Sequence, residues 1–349
     1  MTGSFARNEP SLMEQAERIL RIAEIEGSFT VHPLTGGRNN RAAKLTTVDG
    51  EYFLKCYPAN QTDRRDRIGS EAAFCRYAQS VGIGNVPKVI AVNDAARTAL
   101  FSFISGRAFS ASDVTGDAVA QAIDFVIALN QRRERGTHLP NASEASFTLP
   151  GHYESIRLRI KSLCDYVDHI AAARFVKNEI VPLWQHIERS ACDMETHGDI
   201  GEVDPNGRCI SPSDFGFHNA LATAGGNICF VDFEYAGWDD PARMICDFFL
   251  QVAVPVPPNF LSTMVRLLAP AFCAEEQLRR RVAALMPAYH LKWCCLLLNE
   301  FHPHARSRRA FAGYPLDDEQ LDRQLQLACV RLSDRAPIIA AQELAEELV

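Results

Sequence analysis

The sequence predicts an α+β chain, with a small, mainly antiparallel sheet in about the first hundred residues and a larger, mostly helical region after it. Three observations carry this expectation. Between Ser28 and Ile104 short apolar runs follow a strand-like pattern, whereas beyond Gly106 the apolar residues recur at helical spacing. Asp49-Gly50 joins two of the strand-like runs and is a short-range hairpin signal. A length of 349 residues, 47% of them hydrophobic, can bury a large core and suits about two lobes.

In chain order, Pro10 to Gly27 carries Leu12, Met13, Ala16, Ile19, Leu20 and Ala23 at helical spacing, and Gly27 can end that helix. Phe29 to Val31, Ala42 to Val48 and Glu51 to Tyr57 read as strands. A helix is expected over Gln61 to Val81, then strands over Val86 to Val92 and Thr98 to Ile104, with Ser105-Gly106 breaking the pattern. Helices follow at 117–133, 153–173, 175–192, 260–269, 275–285, 288–301 and 317–332. Gly136 to Gly151 is expected to be a loop, and Arg208 to Phe233 holds two short strand-like runs. The lobes divide as residues 1–105 and 106–349.

Composition narrows the function classes. A net charge of -7 argues against a general affinity for nucleic acid, which would need a basic surface. The eleven cysteines are odd in number, scattered and mostly set in apolar runs, and no Cys-x-x-Cys occurs, so reduced core thiols are expected and a zinc site is not. No apolar stretch has membrane-span length and Met1 to Pro10 has no signal-peptide core, so a cytoplasmic protein without a membrane partner is expected.

The chemistry concentrates in Ser211-Pro212-Ser213-Asp214-Phe215-Gly216-Phe217-His218-Asn219 and in Val231-Asp232-Phe233-Glu234. An aspartate, an asparagine five residues on and a second aspartate after an apolar run supply one base and two oxygen ligands for a hard cation. On this reading Asp214 orients an attacking hydroxyl and accepts its proton, while Asn219 and Asp232 hold magnesium (Mg2+). Each part has a plainer reading, an Asx-rich turn for the first segment and a capping aspartate for Asp232. In the amino-terminal half Lys55 shares a strand face with Phe53 and Tyr57, and either snorkels to water or reaches into a cleft, where Glu71 of the next helix could pair with it. Gly36 and Gly37, with Asn39 close behind, form a turn between strands whose backbone N–H groups could meet phosphates, or a plain hairpin.

Taken in order, these pieces resemble the protein-kinase-like fold and, within it, the aminoglycoside phosphotransferase and choline kinase superfamily, over roughly residues 28 to 250. Leu34-Thr35-Gly36-Gly37-Arg38-Asn39-Asn40 is similar to that superfamily's nucleotide loop and Phe53-Leu54-Lys55 to its ATP lysine. Leu100 to Gly106 is similar to the hinge that meets adenine, around Ser102 and Ile104. Val231 to Pro241 is the closest match. The resemblance implies ATP as donor, with GTP left open, Mg2+, and an alcohol group as acceptor. One departure is that Pro212-Ser213-Asp214 stands where the superfamily usually has a histidine-containing triplet. His197-Gly198-Asp199 imitates that triplet but has aspartate at 204 where asparagine would belong, and it reads as a decoy.

The expected function is therefore transfer of the ATP terminal phosphate to a hydroxyl of a sugar, amino sugar or amino alcohol. Only eight residues separate Asp232 from Pro241, which leaves a peptide platform little room. Glu234, Asp239, Asp240 and Glu300 could make an acidic rim for an amine, and Trp238 and Trp293 could stack on the acceptor. Arg279-Arg280-Arg281 and the arginines at 306, 308 and 309 point instead to an anionic acceptor or to solvated helix faces. The alternative is a catalytically degenerate kinase-like scaffold or sensor. Oligomeric state is left open.

Overall fold

The computed structural model describes residues 10–35, 40–58, 65–196, 200–302, 306, 309–311, 313 and 316–346. Helix α1 (Leu12–Ile22) begins at a capping box, in which the Ser11 hydroxyl accepts from the Glu14 N–H and the Glu14 carboxylate accepts from the Ser11 N–H. It lies on a five-stranded sheet formed by β1 (Phe29–Leu34), β2 (Arg41–Thr47), β3 (Gly50–Cys56), β4 (Val89–Asn93) and β5 (Thr98–Ser102). The order is β1-β2-β3-β5-β4 and every pairing is antiparallel. Helix α2 (Arg67–Ser80) enters between β3 and β4, capped by the Asp66 carboxylate on the Gly69 N–H.

Two apolar clusters result. The smaller joins Ala16, Ile19 and Leu20 of α1 to Leu45, Leu54 and Leu100 of the sheet. The larger begins at α2 and β5 with Phe74 and Phe101 and continues without a break into the helical region. That region contains α3 (Gly116–Asn130), α4 (Leu149–Tyr166), α5 (Ile170–Phe175), α6 (Val181–Thr196), α7 (Pro241–Leu250), α8 (Leu261–Leu268), α9 (Glu275–Leu297), α10 (Asp318–Ser333) and α11 (Ala336–Glu346). Short strands β6 (Arg107–Ala108), β8 (Ala220–Ala222) and β9 (Ile228–Phe230) form one small sheet, and β7 (Cys209–Ser211) pairs with β10 (Gly237–Asp239). At Gly106 a Cβ would stand 2.9 Å from the Leu221 Cβ, so glycine there lets the outgoing chain pass close to β8.

The structure departs from the sequence expectations in four places. Two helices were expected on either side of Pro287, but α9 runs through it, packed against α4, α7, α10 and α11, which holds the helix where a Pro interior alone would break it. Helix α7 was not expected, because all ten of its residues are buried and its apolar run is interrupted only by Arg243 and Asp247, four residues apart. Helix α11 was also unread. The expected helix over 153–173 ends at Tyr166 and resumes at Ile170, and a π-turn (Val176–Ile180) joins α5 to α6.

Candidate active site

Strand β3 sits inside the sheet, bonded to β2 on one side and β5 on the other, so Lys55 has a rigid backbone. Its side chain is 5% exposed, and its Nζ lies 2.6 Å from Glu71 Oε2, 2.5 Å from Asp232 Oδ1 and 3.6 Å from Glu234 Oε2. Burial is the largest single influence and disfavours the ammonium, but Asp232 and then Glu71 outweigh it and hold the Lys55 pKa well above the usual lysine range. The Tyr57 hydroxyl donates to the same Glu71 oxygen at 2.6 Å. Glu71, Asp232 and Glu234 bring carboxylate oxygens within 4.8 Å of one another, and the Lys55 ammonium stands among them, with Arg67 also on Glu234. Burial still raises the Glu71 pKa to about 6.

The second element is the loop between β7 and β8. Ser213 adopts a left-handed backbone conformation with φ 67°, which costs a residue with a Cβ roughly 1–2 kcal/mol. The loop holds nonetheless, because Phe215 and Phe217 are buried on either side of Phe248 of α7, with ring centroids at 4.9 and 5.5 Å. Burying one such ring contributes about 1.5–3 kcal/mol, so the two anchors exceed the strain. Between them Asp214 turns outward with its side chain 37% exposed. His218 Nε2 lies 3.1 Å from Asp214 Oδ1. Burial favours a neutral Asp214, but the hydrogen bond and charge of His218 prevail and its pKa is lowered. Asn219 donates its Nδ2 to the Asp214 backbone carbonyl at 3.0 Å. A carbonyl only accepts, so the amide nitrogen faces it and the Asn219 side-chain oxygen is turned the other way.

Asp232 follows β9 and is also left-handed, with φ 67°, a conformation aspartate tolerates better than most residues. One oxygen takes the Lys55 ammonium, yet the side chain remains 41% exposed. Burial is the main cause that raises its pKa, Lys55 opposing. Thus Lys55, from the sheet, meets a carboxylate 177 residues later, and Asp232 in turn lies near enough to Asp214 to feel its charge.

The remaining expected positions fall elsewhere or lie deeper. Gly36, Gly37 and Asn39 are outside the described residues, as is the triplet at 197–199. The Ser102 backbone N–H is already engaged by the Lys88 carbonyl at 2.8 Å, while Ile104 is half-buried just past the end of β5. The acids expected to form an open rim are interior ion pairs. Glu234, 1% exposed, accepts from Arg67 at 3.0 Å and from Asn40 at 2.8 Å, and Lys55 and Arg67 overcome burial to lower its pKa. Asp239 pairs with Arg243 at 3.0 Å, though burial still lifts its pKa to about 6. Asp240 takes Arg281 at 2.6 Å and His152 at 2.9 Å, and Glu300 pairs with Arg309. Their cost of desolvation is what fixes this arrangement, since a buried carboxylate requires a partner. Trp238 donates its indole N–H to the Gly136 carbonyl and Trp293 donates to Asp247.

Four residues at the site were not singled out from sequence: Asn40, Arg67, Arg243 and His218. His218 had a signal, since it lies inside the Asp214 to Asn219 segment. Asn40 closes the segment 34–40, and Arg243 lies four residues from Asp239, whereas Arg67 is joined to Glu234 only by the fold, across 167 residues.

With this geometry in hand, similarity to known proteins is informative. The sequence profile of the phosphotransferase enzyme family matches residues 30–285. No curated protein sequence matches. Among solved structures, a choline/ethanolamine kinase family protein from Mesorhizobium loti aligns with a TM-score of 0.60 at 18% identity, covering 96% of this chain and 99% of that one. An ethanolamine kinase from Plasmodium vivax aligns at 0.58 and 13% identity, covering 90% of this chain and 83% of that one. A spectinomycin phosphotransferase solved with ADP and spectinomycin aligns at 0.58 and 12% identity, covering 95% and 97%. The fold is thus the protein-kinase-like one that these structures share. Because the matched profile runs from the first strand of the sheet into α9 and so takes in Lys55, Asp214, Asn219 and Asp232, the chain belongs to the phosphotransferase enzyme family.

Proposed function

We propose that the protein is a kinase that transfers the terminal phosphoryl group of ATP to a hydroxyl of a small molecule such as a sugar, amino sugar or amino alcohol. The observation that carries this reading is that the Lys55 ammonium meets Asp232, while Asp214 and Asp232 both keep solvent-facing carboxylates. Lys55, braced by Glu71, contacts the phosphates of the nucleotide. Asp214 receives the proton of the acceptor hydroxyl as the acceptor oxygen bonds to the terminal phosphorus. The bond from that phosphorus to the bridging oxygen breaks, and ADP leaves.

The donors fit Mg2+. The oxygen of the Asn219 amide is turned away from the Asp214 carbonyl, and Asp232 has an exposed carboxylate, so two hard oxygen ligands are offered and room is left for water and phosphate oxygens. When bound, the ion neutralises charge on the transferring group. The backbone of Leu100 to Gly106 is the proposed adenine contact, through Ile104 rather than the Ser102 N–H, which the sheet already uses. Residues 1–105 and 106–349 would act as the two lobes that close on the nucleotide.

The acceptor is small on this reading, because the stretch from Phe233 to Asp240 is mostly buried and paired with β7, which leaves no platform for a peptide. Its recognition does not depend on Glu234, Asp239, Asp240 or Glu300, whose charges are matched internally. The test combines the protein with ATP, Mg2+ and pooled hydroxylated metabolites, and reads phosphorylated products by mass spectrometry. Asp214→Asn is expected to lower kcat by roughly 10²–10⁴-fold while nucleotide still raises the melting temperature. Unchanged turnover in that variant would refute the assignment.

A further inference from the structure

We propose that His218 is the positioning residue of the transfer reaction: its Nε2–H holds one oxygen of Asp214 so that the other faces the acceptor hydroxyl. This rests on the reading of Asp214 as the base. Residue 212, two positions before Asp214, is a proline and has no polar side chain to offer. Among the described residues the His218 ring meets the Asp214 carboxylate from the opposite direction, at 3.1 Å and four residues later.

The local fold holds this contact from two sides. The turn Phe217–Asn219 folds the His218 ring back over Asp214, and it is pinned from below by Phe217, whose ring stacks on Phe109 at 5.1 Å and 17°. Gly216 clears the space for the ring. A Cβ there would stand 2.8 Å from His218 Nδ1, 3.0 Å from its Cε1 and 2.9 Å from Gln251 Cγ. The ring therefore packs against Gly216, and its Nδ1 is enclosed without a hydrogen-bond partner. Since a carboxylate only accepts, Nε2 is the donor, and His218 meets Asp214 Oδ1 through that one nitrogen. Oδ2 is then the oxygen that takes the hydroxyl proton. At the same time Asn219, the next residue, holds the Asp214 backbone, so the side chain and main chain of Asp214 are fixed by consecutive residues of one turn.

The test measures release of ADP from ATP and Mg2+ with water as acceptor, so no acceptor need be identified. His218→Ala is expected to lower kcat about 10–100-fold with the nucleotide KM and the melting temperature unchanged, a loss inside the range of general-base contributions. His218→Gln, whose amide can also donate, should recover most of it. In an Asp214→Asn background, His218→Ala should cause no further loss, because its effect passes through the Asp214 carboxylate. Should His218→Ala fail to fold, His218→Gln and the double variant Asp214→Asn with His218→Gln decide the matter. If Asp214→Asn itself keeps normal turnover, the reading of Asp214 as base is wrong and this inference falls with it. If Asp214→Asn is inactive but His218→Ala matches the parent protein, or loses nucleotide affinity instead of kcat, the base stands and the role of His218 is overturned.

Discussion

The acids expected to serve the site fall into two sets, and they differ in what completes them. Glu234, Asp239 and Asp240 are closed off and each is matched by an arginine supplied by the fold. Asp214 and Asp232 stay open to solvent, one held by a histidine and the other by a lysine, with part of each carboxylate left over. The difference teaches that burial, and not residue type, divides acids that hold the molecule together from acids that can meet a ligand. A buried acid already has its cation, and removing that cation costs stability. An open acid has spare hydrogen-bonding capacity, and changing it is expected to cost turnover.

The largest test of this division is Arg281→Met. Arg281 donates to Asp240 and to the carbonyls of Gly201 and Phe147, so its loss leaves a buried carboxylate with only His152 and the Ala242 N–H as partners. A destabilisation of about 3–5 kcal/mol is expected in chemical denaturation, with kcat of the folded fraction unchanged. A loss of kcat at full stability would break the comparison.

The same rule extends to a buried base. His290 is fully buried, and burial first, with Arg331 assisting, lowers its pKa from 6.5 to about 4. The folded protein refuses a proton that the unfolded chain accepts. This contribution is therefore complete above pH 6.5 and is lost as pH falls from 6.5 toward 4, by roughly 3 kcal/mol in all. Denaturation midpoints measured across that window should fall, and His290→Phe should flatten the slope.

Asn40→Ala is the smallest expected effect and the sharpest, because Asn40 donates its side-chain amide to Glu234, two residues past Asp232. Removing one hydrogen bond to a charged group costs about 1.5–3 kcal/mol. If the tie serves the nucleotide, the cost appears as a rise in ATP KM of roughly tenfold or more. If only the melting temperature falls, Glu234 belongs wholly with the structural acids.

These distinctions also mark what could be read from the sequence. The sheet, its Asp49-Gly50 hairpin and the first helix were legible because turn chemistry and apolar period are local properties. The pairing of Lys55 with Glu71 was legible because strand alternation and one following helix place both. Helix α7 was not, since Arg243 and Asp247 alone mark its polar side and both are buried. Nor was the burial of Glu234, Asp239, Asp240 and Glu300, because a carboxylate's letter does not name its partner. Asp240 and Arg281 lie 41 residues apart, and only the packing of α7 against α9 joins them.

The left-handed residues at 213 and 232 restrict how this chain can diverge. Glycine or asparagine can replace Ser213 with its backbone intact, whereas valine, isoleucine or threonine would press their branched carbons against the preceding carbonyl. Lineages that retain this turn are thereby confined to a few small or amide-bearing residues at a site whose own side chain performs no chemistry.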